Sequence, residues 1–454
     1  MSRLPDVLEK VVSLSRADAC IVIVTATSST NLRWANNTST TNGVGDDEQI
    51  SIISIIDERV GSVTRSYFPT DRLGSLVKES EAACMGRPRA QDVAPLVEGA
   101  GYPSDWSAEQ SPTNMNVLEG FARDLGHAFK QAESADLSLF GYAEHRVSTV
   151  YMATSGGVRR RFQQRRGKAE ITAKSLDYSR SAWIGRATKS FDDVDLAAIY
   201  STLEERIGRS RREIGLPPER YEVILEPSAV ADMLIYMYGS MSARDADEGR
   251  SVFSRPGGGS RIGEKVFADG VSLYSDPLEP ALETAPFVVT HASDKASSIF
   301  DNGLTISPQR WAEDGVLQRL ITTRHWGAES GTKPAPEVGN LIVPSAGPHV
   351  EEMVAGTERG LLVTCLWYIR MVDPQNLLLT GLTRDGVFLI ADGKIRGAAN
   401  NFRFNMSPVD MLRQTIEIGE SEDALGREFN YLALTRVPPI RVESWNMSSV
   451  SEAK

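Results

Sequence analysis

The stretch Gly360–Leu412 constrains the fold of this chain more than any other. It contains three short runs rich in aliphatic and aromatic residues: Gly360–Ile369, Asn376–Leu382 and Val387–Ile390. Between the runs stand Asp-Pro and Asp-Gly pairs, which supply the fixed or positive φ angles of tight turns. The pattern predicts a β-meander with a hairpin at Asp392-Gly393, and Ser407-Pro408 then opens a helix.

The same stretch resembles the C-terminal signature of the TldD/PmbA family, metallopeptidases once called modulators of DNA gyrase. The family pattern of a GLLVT strand, a DG-x-FLI-x-DGKI segment and an NFRF…SP-x-D-x-L segment occurs here in the same order at residues 360–412. Near the N-terminus, LRWANN at 32–37 and RVGS at 59–62 resemble elements of the family's N-terminal domain. The resemblance implies an α+β fold and a place in a peptidase system.

Composition limits the classes of protein to which the chain can belong. With 454 residues it is too long for one ordinary core, so more than one domain is expected. A net charge of −11 disfavours a general nucleic-acid binder. Three widely spaced cysteines form no disulfide framework, and no apolar stretch approaches 18 residues. These features predict a cytoplasmic protein without a membrane span.

The chain is expected to divide into an N-terminal α/β domain and a large antiparallel sheet or open barrel with flanking helices. The predicted segments are an α/β domain at 1–86, a Pro-rich linker at 87–112, a unit of helix, long strands and helix at 113–220, and a β-rich domain at 221–454. The strands between residues 137 and 187 are predicted to join the C-terminal meander, and the polar residues after Asn37 to form a loop.

A predicted helix that begins at Pro227 indicates whether this chain can bind a catalytic zinc ion. In the catalytic TldD branch, the equivalent strand–Pro–helix unit carries His-Glu-x-x-x-His, whose histidines hold zinc and whose glutamate is the general base. Alignment on the strand and the proline places Met233, Leu234 and Tyr238 at these positions. None of the three is a useful zinc ligand or base. The C-terminal tail also lacks the cysteine that the family supplies, and Cys365 is predicted to be a buried core residue.

The resemblance therefore narrows to the PmbA/TldE branch, which lacks the zinc motif. A loop after the degenerate helix resembles a flexible loop of that branch and is predicted to lie at the cleft; its residues are Arg250, Ser251, Gly257, Gly258 and Gly259. A phosphate cradle is disfavoured because no Gly-Lys-Ser/Thr follows the glycines.

These features predict a non-catalytic subunit of a TldD/TldE-type heteromeric zinc metallopeptidase that degrades or processes small unfolded peptides. The resemblance implies that this chain carries no catalytic residue and no metal ligand, and that zinc resides on the TldD-like partner. The chain is then inactive alone and takes part in proteolysis only with that partner. Its expected contacts are the partner and an extended peptide, with neither membrane nor nucleic acid.

Two other functions stay open. A self-sufficient hydrolase could use titratable residues that converge in space, such as Glu226, Asp276, Glu283 and His325. A nucleic-acid or topoisomerase-binding regulator could use the basic stretch Arg159–Lys168, predicted at a turn between two strands. The plainer interpretation of that stretch is a solvated hairpin whose charges keep an exposed edge from pairing.

Overall fold

The N-terminal half of the molecule is one antiparallel sheet covered by helices. The computed structural model describes residues 3–428 and 434–452. The elements of this half, in chain order, are α1 (Leu4–Leu14), β1 (Ala19–Ala35), β2 (Thr38–Ile56), β3 (Arg59–Arg65), α2 (Leu73–Ala82), a 3-10 turn (Met115–Leu118), α3 (Glu119–Ser134), β4 (Leu137–Thr154), β5 (Arg159–Ser175), β6 (Ser181–Thr188) and α4 (Leu196–Arg209). The strand order is β3-β2-β1-β4-β5-β6.

Both faces of this sheet are buried at its centre. Val22 and Val24 of β1 pack with α1 and α2, whereas Ile21 and Ile23 pack against residues of the C-terminal half, including Phe300. Because successive strand side chains point to opposite faces, a strand between two layers must be apolar at every position. Each buried Val or Ile contributes about 1.5–3 kcal/mol, so this run holds the helices and the C-terminal half to the sheet.

Three predictions about this half are wrong. The polar residues predicted as a loop belong to β2, which pairs with β1 from Ala35↔Thr38 to Ala19↔Ile55. Strands β4, β5 and β6 join β1 rather than the C-terminal meander. The basic stretch Arg159–Lys168 lies within β5, not at a turn. Pairing between distant strands decides all three, and a local residue pattern does not contain that information.

The C-terminal half contains two further sheets. Its elements, in chain order, are β7 (Glu213–Ile214), β8 (Arg220–Leu225), α5 (Pro227–Tyr238), α6 (Ala243–Asp247), β9 (Leu273–Ser275), a 3-10 turn (Ile299–Asp301), β10 (Gln309–Glu313), β11 (Val316–Leu317), α7 (Arg324–Ser330), β12 (Asn340–Ile342), α8 (Val350–Ala355), β13 (Arg359–Val363), β14 (Leu366–Asp373), β15 (Leu378–Thr383), β16 (Val387–Ala391), β17 (Lys394–Ala399), β18 (Phe402–Met406), α9 (Pro408–Arg413), β19 (Thr415–Ile418), β20 (Glu422–Ala424), β21 (Leu434–Val437) and β22 (Ile440–Val450).

One of these sheets has ten strands and the other six. The path through the larger sheet is β14-β15-β18-β22-β8-β13-β16-β17-β7, with β19 also paired to β22. The smaller sheet has the order β11-β10-β9-β12-β21-β20. Within the described residues neither sheet closes into a barrel, and the α+β class that the sequence predicts is confirmed.

The predicted meander is correct in its hairpin and wrong in its order. Asp392 and Gly393 have φ angles of 51° and 69° and join β16 to β17, as predicted. The first apolar run, however, divides at Thr364 and Cys365 into β13 and β14. Strand β13 pairs with β8 and β16, while β14 pairs with β15 and β15 with β18.

The predicted linker has no helix or strand, but it packs tightly on the sheet. Trp106 is buried against Tyr151 of β4, with their ring centroids 5.8 Å apart. Just beyond the linker, the Thr113 hydroxyl lies 2.7 Å from Nδ1 of His145. Strands β1–β3 precede this segment in the chain and β4–β6 follow it, and all six belong to the same sheet. The segment itself covers part of the sheet face that also carries α1 and α2.

Candidate functional site

Helix α5, to which the resemblance assigns the degenerate zinc motif, is a core element in this chain. Pro227 stands in its first turn, where a missing N–H costs nothing, and the residues that follow are mainly apolar. Met233 and Leu234 have no exposed surface, and Tyr238 is 4% exposed. All three belong to the main hydrophobic cluster of the C-terminal half. These positions face packed side chains rather than a cleft.

The hydroxyl of Tyr238 both donates and accepts a hydrogen bond. The hydroxyl donates to the carbonyl of Val338 at 2.9 Å and accepts from the Val338 N–H at 2.8 Å. The ring lies edge-on to Trp311, with centroids 5.5 Å apart. Burial also raises the pKa of the phenol, so the phenolate that would bind a metal is not formed near neutral pH.

The residues of α5 do not fit a zinc ion. Zinc takes thiolate, imidazole or carboxylate ligands, and positions 233, 234 and 238 offer a thioether, an isobutyl group and a phenol that is already hydrogen-bonded. Elsewhere in the described residues, no three histidine, cysteine, aspartate or glutamate side chains lie close enough together to hold a metal. No catalytic step through zinc is therefore derived for this chain.

The sequence interpretation missed a polar contact on another face of the same helix. Asp232 is fully buried, and its carboxylate accepts the backbone N–H groups of Arg427 at 3.0 Å and Glu428 at 2.9 Å. At Gly426 a Cβ would lie 2.7 Å from the Asp232 carboxylate, so a larger residue there would have to displace that carboxylate. An aspartate in the middle of an apolar helix was the signal that could have revealed this contact.

Arg427 connects this contact to the core of the C-terminal half. Its guanidinium is 2.5 Å from Asp385 and donates to the sulfur of Cys365 at 3.1 Å. It lies near the rings of Trp183 and Trp367, at 5.2 and 5.0 Å from their centroids. Cys365 is buried, as predicted, and burial raises the pKa of its thiol. A protonated, enclosed thiol is a structural group rather than a nucleophile.

A cleft lies between the N-terminal sheet and the C-terminal half; we call it the central cleft. It consists of three neighbouring cavities of about 370, 360 and 870 Å³. Gln164 and Arg166 of β5 line both the first and the second cavity, and Ala296 lines both the second and the third. A volume of this size accommodates a small ligand or a few residues of an extended peptide.

Comparison with known proteins identifies the family. Residues 218–449, slightly more than half of the chain, match the model described as the PmbA/TldA metallopeptidase C-terminal domain. The chain belongs to the PmbA/TldD metallopeptidase family. No curated protein matches it.

Solved structures share the PmbA/TldD fold over nearly the whole chain. TldE from Thermococcus kodakarensis has a TM-score of 0.80 at 15% identity, covering 98% of this chain and 99% of that one. A candidate modulator of DNA gyrase from Bacteroides thetaiotaomicron has a TM-score of 0.78 at 14% identity, covering 99% and 100%. Another from Thermotoga maritima has a TM-score of 0.74 at 15% identity, covering 98% and 99%. At this identity the likeness establishes the fold.

The predicted cleft loop of this PmbA/TldD chain lies partly at the cleft. Arg250 lines the largest cavity and pairs with Asp245 and Glu248, while Ser251 is buried. Gly257, Gly258 and Gly259 have φ angles of 93°, 112° and 81°. A Cβ at any of these three glycines would meet nothing within 4 Å. Backbone conformation rather than crowding therefore requires glycine here, and Gly259 lines a separate cavity of about 760 Å³.

The titratable residues considered for a self-sufficient hydrolase are engaged at separate places. Glu226 is paired with Arg206 at 2.7 Å, and Glu283 with Lys189. Asp276 accepts from the N–H of Leu278 at 2.9 Å. His325 contacts the carbonyl of Val93 at 3.1 Å and the carboxylate of Glu329 at 3.3 Å. The described structure does not bring the four together.

Three of the six basic residues in the β5 stretch are paired with acids of the fold. Arg159 pairs with Glu9 at 2.5 Å, Arg161 with Asp105 at 2.6 Å and Lys168 with Glu170 at 2.9 Å. The alternation of the strand sends neighbouring side chains to opposite faces of the sheet. The stretch therefore does not present a continuous basic surface of the kind that binds nucleic acid.

Among the described residues, no helix combines the length and the apolar character that crossing a bilayer requires.

Proposed function

We propose that this chain is the non-catalytic, TldE-like subunit of a TldD/TldE-type heteromeric zinc metallopeptidase that degrades or processes small unfolded peptides. The observation that carries the proposal is the filled core position of Met233, Leu234 and Tyr238 in a chain of a peptidase family. The structural likeness to TldE supports it. Zinc, its ligands and the general base would reside on the TldD-type partner.

The central cleft and a strand edge give this subunit two features suited to an extended substrate. Residues 38–49 of β2 pair with β1 on one side, whereas β3 begins to pair with β2 only at Ile50. The outer edge of this stretch thus retains backbone groups that no other described strand covers. An extended peptide recognises such an edge by main-chain hydrogen bonds, which are independent of its sequence. Sequence-independent recognition suits a subunit that admits unfolded peptides.

The test is reconstitution with a homologue that carries His-Glu-x-x-x-His, taken from the same cell. We expect the two chains to co-elute on size exclusion and the mixture to cleave an unstructured peptide that neither component cleaves at a comparable rate. The matched control is the same mixture with the motif glutamate of the partner replaced by glutamine. That mixture should still co-elute but should not cleave. Cleavage by the present chain alone, at the rate of the mixture, would contradict the proposal.

The two other functions lack comparable support. The separation of Glu226, Asp276, Glu283 and His325 disfavours a self-sufficient hydrolase. The ion pairs of Arg159, Arg161 and Lys168 disfavour nucleic-acid binding, as does the net charge of −11. A cytoplasmic location stays a prediction.

A further inference from the structure

Arg166 of β5 lines the central cleft, so a ligand bound there would contact its side chain. Ala169 and Ile171 of the same strand pack in the cluster formed with α3 and α4. Since side chains alternate along a strand, the even-numbered residues Gln164 and Arg166 point to the opposite face, toward the C-terminal half. Gln164 donates to the carbonyl of Glu283 there. Arg166 lines the two smaller cavities of the central cleft.

The guanidinium of Arg166 has no partner among the described residues. Its Nε is buried without a hydrogen-bond acceptor. Burial lowers the pKa of this guanidinium to about 10, and no nearby carboxylate offsets the effect. Arg166 is half-buried, and a cation that is partly desolvated without a counter-ion is destabilising, because ion pairing does not compensate for the lost solvation. A fold that keeps such a group next to a cavity gains stability when an anion enters the cavity.

Four of the five carboxylates around these two cavities are already engaged by donors. Glu283 is paired with Lys189, Asp423 with Arg436 at 2.6 Å and Asp301 with Arg324 at 2.8 Å. Asp193 accepts a hydrogen bond from Thr188. Each of these four acids already has a donor. Burial raises the pKa of the fifth, Glu337, which makes it the least suited of the five to supply a negative charge, so the counter-ion is expected from outside the described residues.

Two further groups show that the second cavity is built for a polar ligand. Thr284 lines it, and the hydroxyl of Thr284 is buried without a hydrogen-bond partner. Glu337 lines the same cavity and forms no ion pair with a described residue. The cavity, of about 360 Å³, thus presents a cation, a hydroxyl and a carboxylate that are all unengaged. Buried polar groups in native proteins are normally satisfied, so a polar ligand is expected here.

We propose that Arg166 binds a carboxylate of an extended peptide in the central cleft, with the hydroxyl of Thr284 as a second donor. The planar guanidinium matches a carboxylate with two parallel N–H···O bonds, which makes arginine the usual choice for this recognition. The carboxylate belongs either to the C-terminus of the peptide or to an aspartate or glutamate side chain. That the ligand is a peptide rests on the proposed function; that it is a carboxylate rests on Arg166 alone.

The experiment measures binding of three fluorescent hexapeptides to the isolated full chain by anisotropy. The first has a free C-terminal carboxylate and no acidic side chain, the second is its C-terminal amide, and the third is the amide with one internal glutamate. We expect the first or the third to bind at least tenfold more tightly than the second. Whichever binds identifies the source of the carboxylate.

The deciding variant is Arg166→Gln, with Arg160→Gln as its matched control. Arg160 lies on the same strand face with the same charge, six residues and about 20 Å away. Arg166→Gln should remove the preference for a carboxylate, whereas Arg160→Gln should retain it. Arg166→Gln should also raise the melting temperature of the free chain, because it removes an unpaired, partly desolvated charge. That rise would show that the variant folds.

Equal binding of all three peptides, or a preference that survives Arg166→Gln, would overturn the inference, and so would no binding of any peptide. These results are independent of reconstitution with a zinc-bearing partner. A complex that cleaves peptides but whose isolated subunit shows no carboxylate preference would contradict only the role of Arg166. A carboxylate preference in a chain that binds no such partner would contradict only the proposed function.

Discussion

Arg427 shows how one residue holds distant parts of this molecule together. Its backbone N–H binds Asp232 of α5, its guanidinium reaches Asp385 and Cys365, and its planar face lies near two tryptophans. Asp385, whose side chain is 2% exposed, has this guanidinium as its nearer counter-ion, at 2.5 Å, and that of Arg384 as a second one, at 3.6 Å. Removal of one member of a buried pair leaves an uncompensated charge.

Replacement of Arg427 should therefore be costly. We expect Arg427→Ala to lower the free energy of unfolding by about 3–5 kcal/mol, since it leaves the buried Asp385 carboxylate with only the more distant guanidinium of Arg384. Urea denaturation followed by circular dichroism measures the change. Arg413→Ala is the control, because Arg413 pairs with Asp410 on an exposed part of α9 and should change stability by about 1 kcal/mol or less. Equal effects of the two substitutions would contradict this role of Arg427.

His145 gives the molecule a pH-dependent contact between the sheet and the start of the segment that precedes α3. Nε2 lies 2.8 Å from the carbonyl of Lys189 and Nδ1 lies 2.7 Å from the Thr113 hydroxyl. Burial, followed by the charge of Arg165, lowers the pKa of His145. The geometry fits a neutral ring that donates at Nε2 and accepts at Nδ1.

Because the folded pKa of His145 is lower than the unfolded one, the unfolded state binds more protons in mild acid. Stability is then fully present above the unfolded pKa of about 6.5 and falls as the pH decreases below it. We expect His145→Gln, which has both a donor and an acceptor but does not titrate, to lose less stability between pH 7 and pH 5 than the wild type. Denaturation midpoints across that range measure the difference. Parallel pH profiles would show that His145 is not responsible.

At the scale of elements, the sequence predicted most of what is local. The start of α5 follows from Pro227, and the turn at Asp392-Gly393 follows from Asp-Gly turn chemistry. The strand identity of residues 38–48 did not follow, because their Thr, Asn and Gly content is typical of loops. Pairing with β1 outweighs that local preference, as tertiary context commonly does for strands.

The environment of α5 predicts that the zinc motif cannot simply be restored. In a chain carrying Met233→His, Leu234→Glu and Tyr238→His together, all three new side chains would enter a packed core. A buried carboxylate without a partner costs several kcal/mol, so we expect the triple variant to lose cooperative unfolding and to bind no stoichiometric zinc. Ile235→Glu, at a half-buried position of the same helix, should fold. A folded, zinc-loaded triple variant would contradict the core placement of these positions.

At the scale of the whole molecule, the family and the fold class were within reach of the sequence, whereas the central cleft was not. The signature at residues 360–412 is contiguous, so it can be recognised in one chain. The cleft brings β5 next to residues around Thr284 and Glu337, and the contact of Asp232 with Arg427 spans 195 positions. Such juxtapositions arise from the packing of distant strands and have no local sequence signal.

The most direct test of the central claim is the zinc content of the purified chain, measured by atomic emission alongside its complex with a His-Glu-x-x-x-His homologue. We expect far less than one zinc per chain in the isolated protein and about one per heteromeric pair in the complex, with peptide cleavage only in the complex. One zinc per isolated chain, together with cleavage of an unstructured peptide by that chain alone, would contradict it.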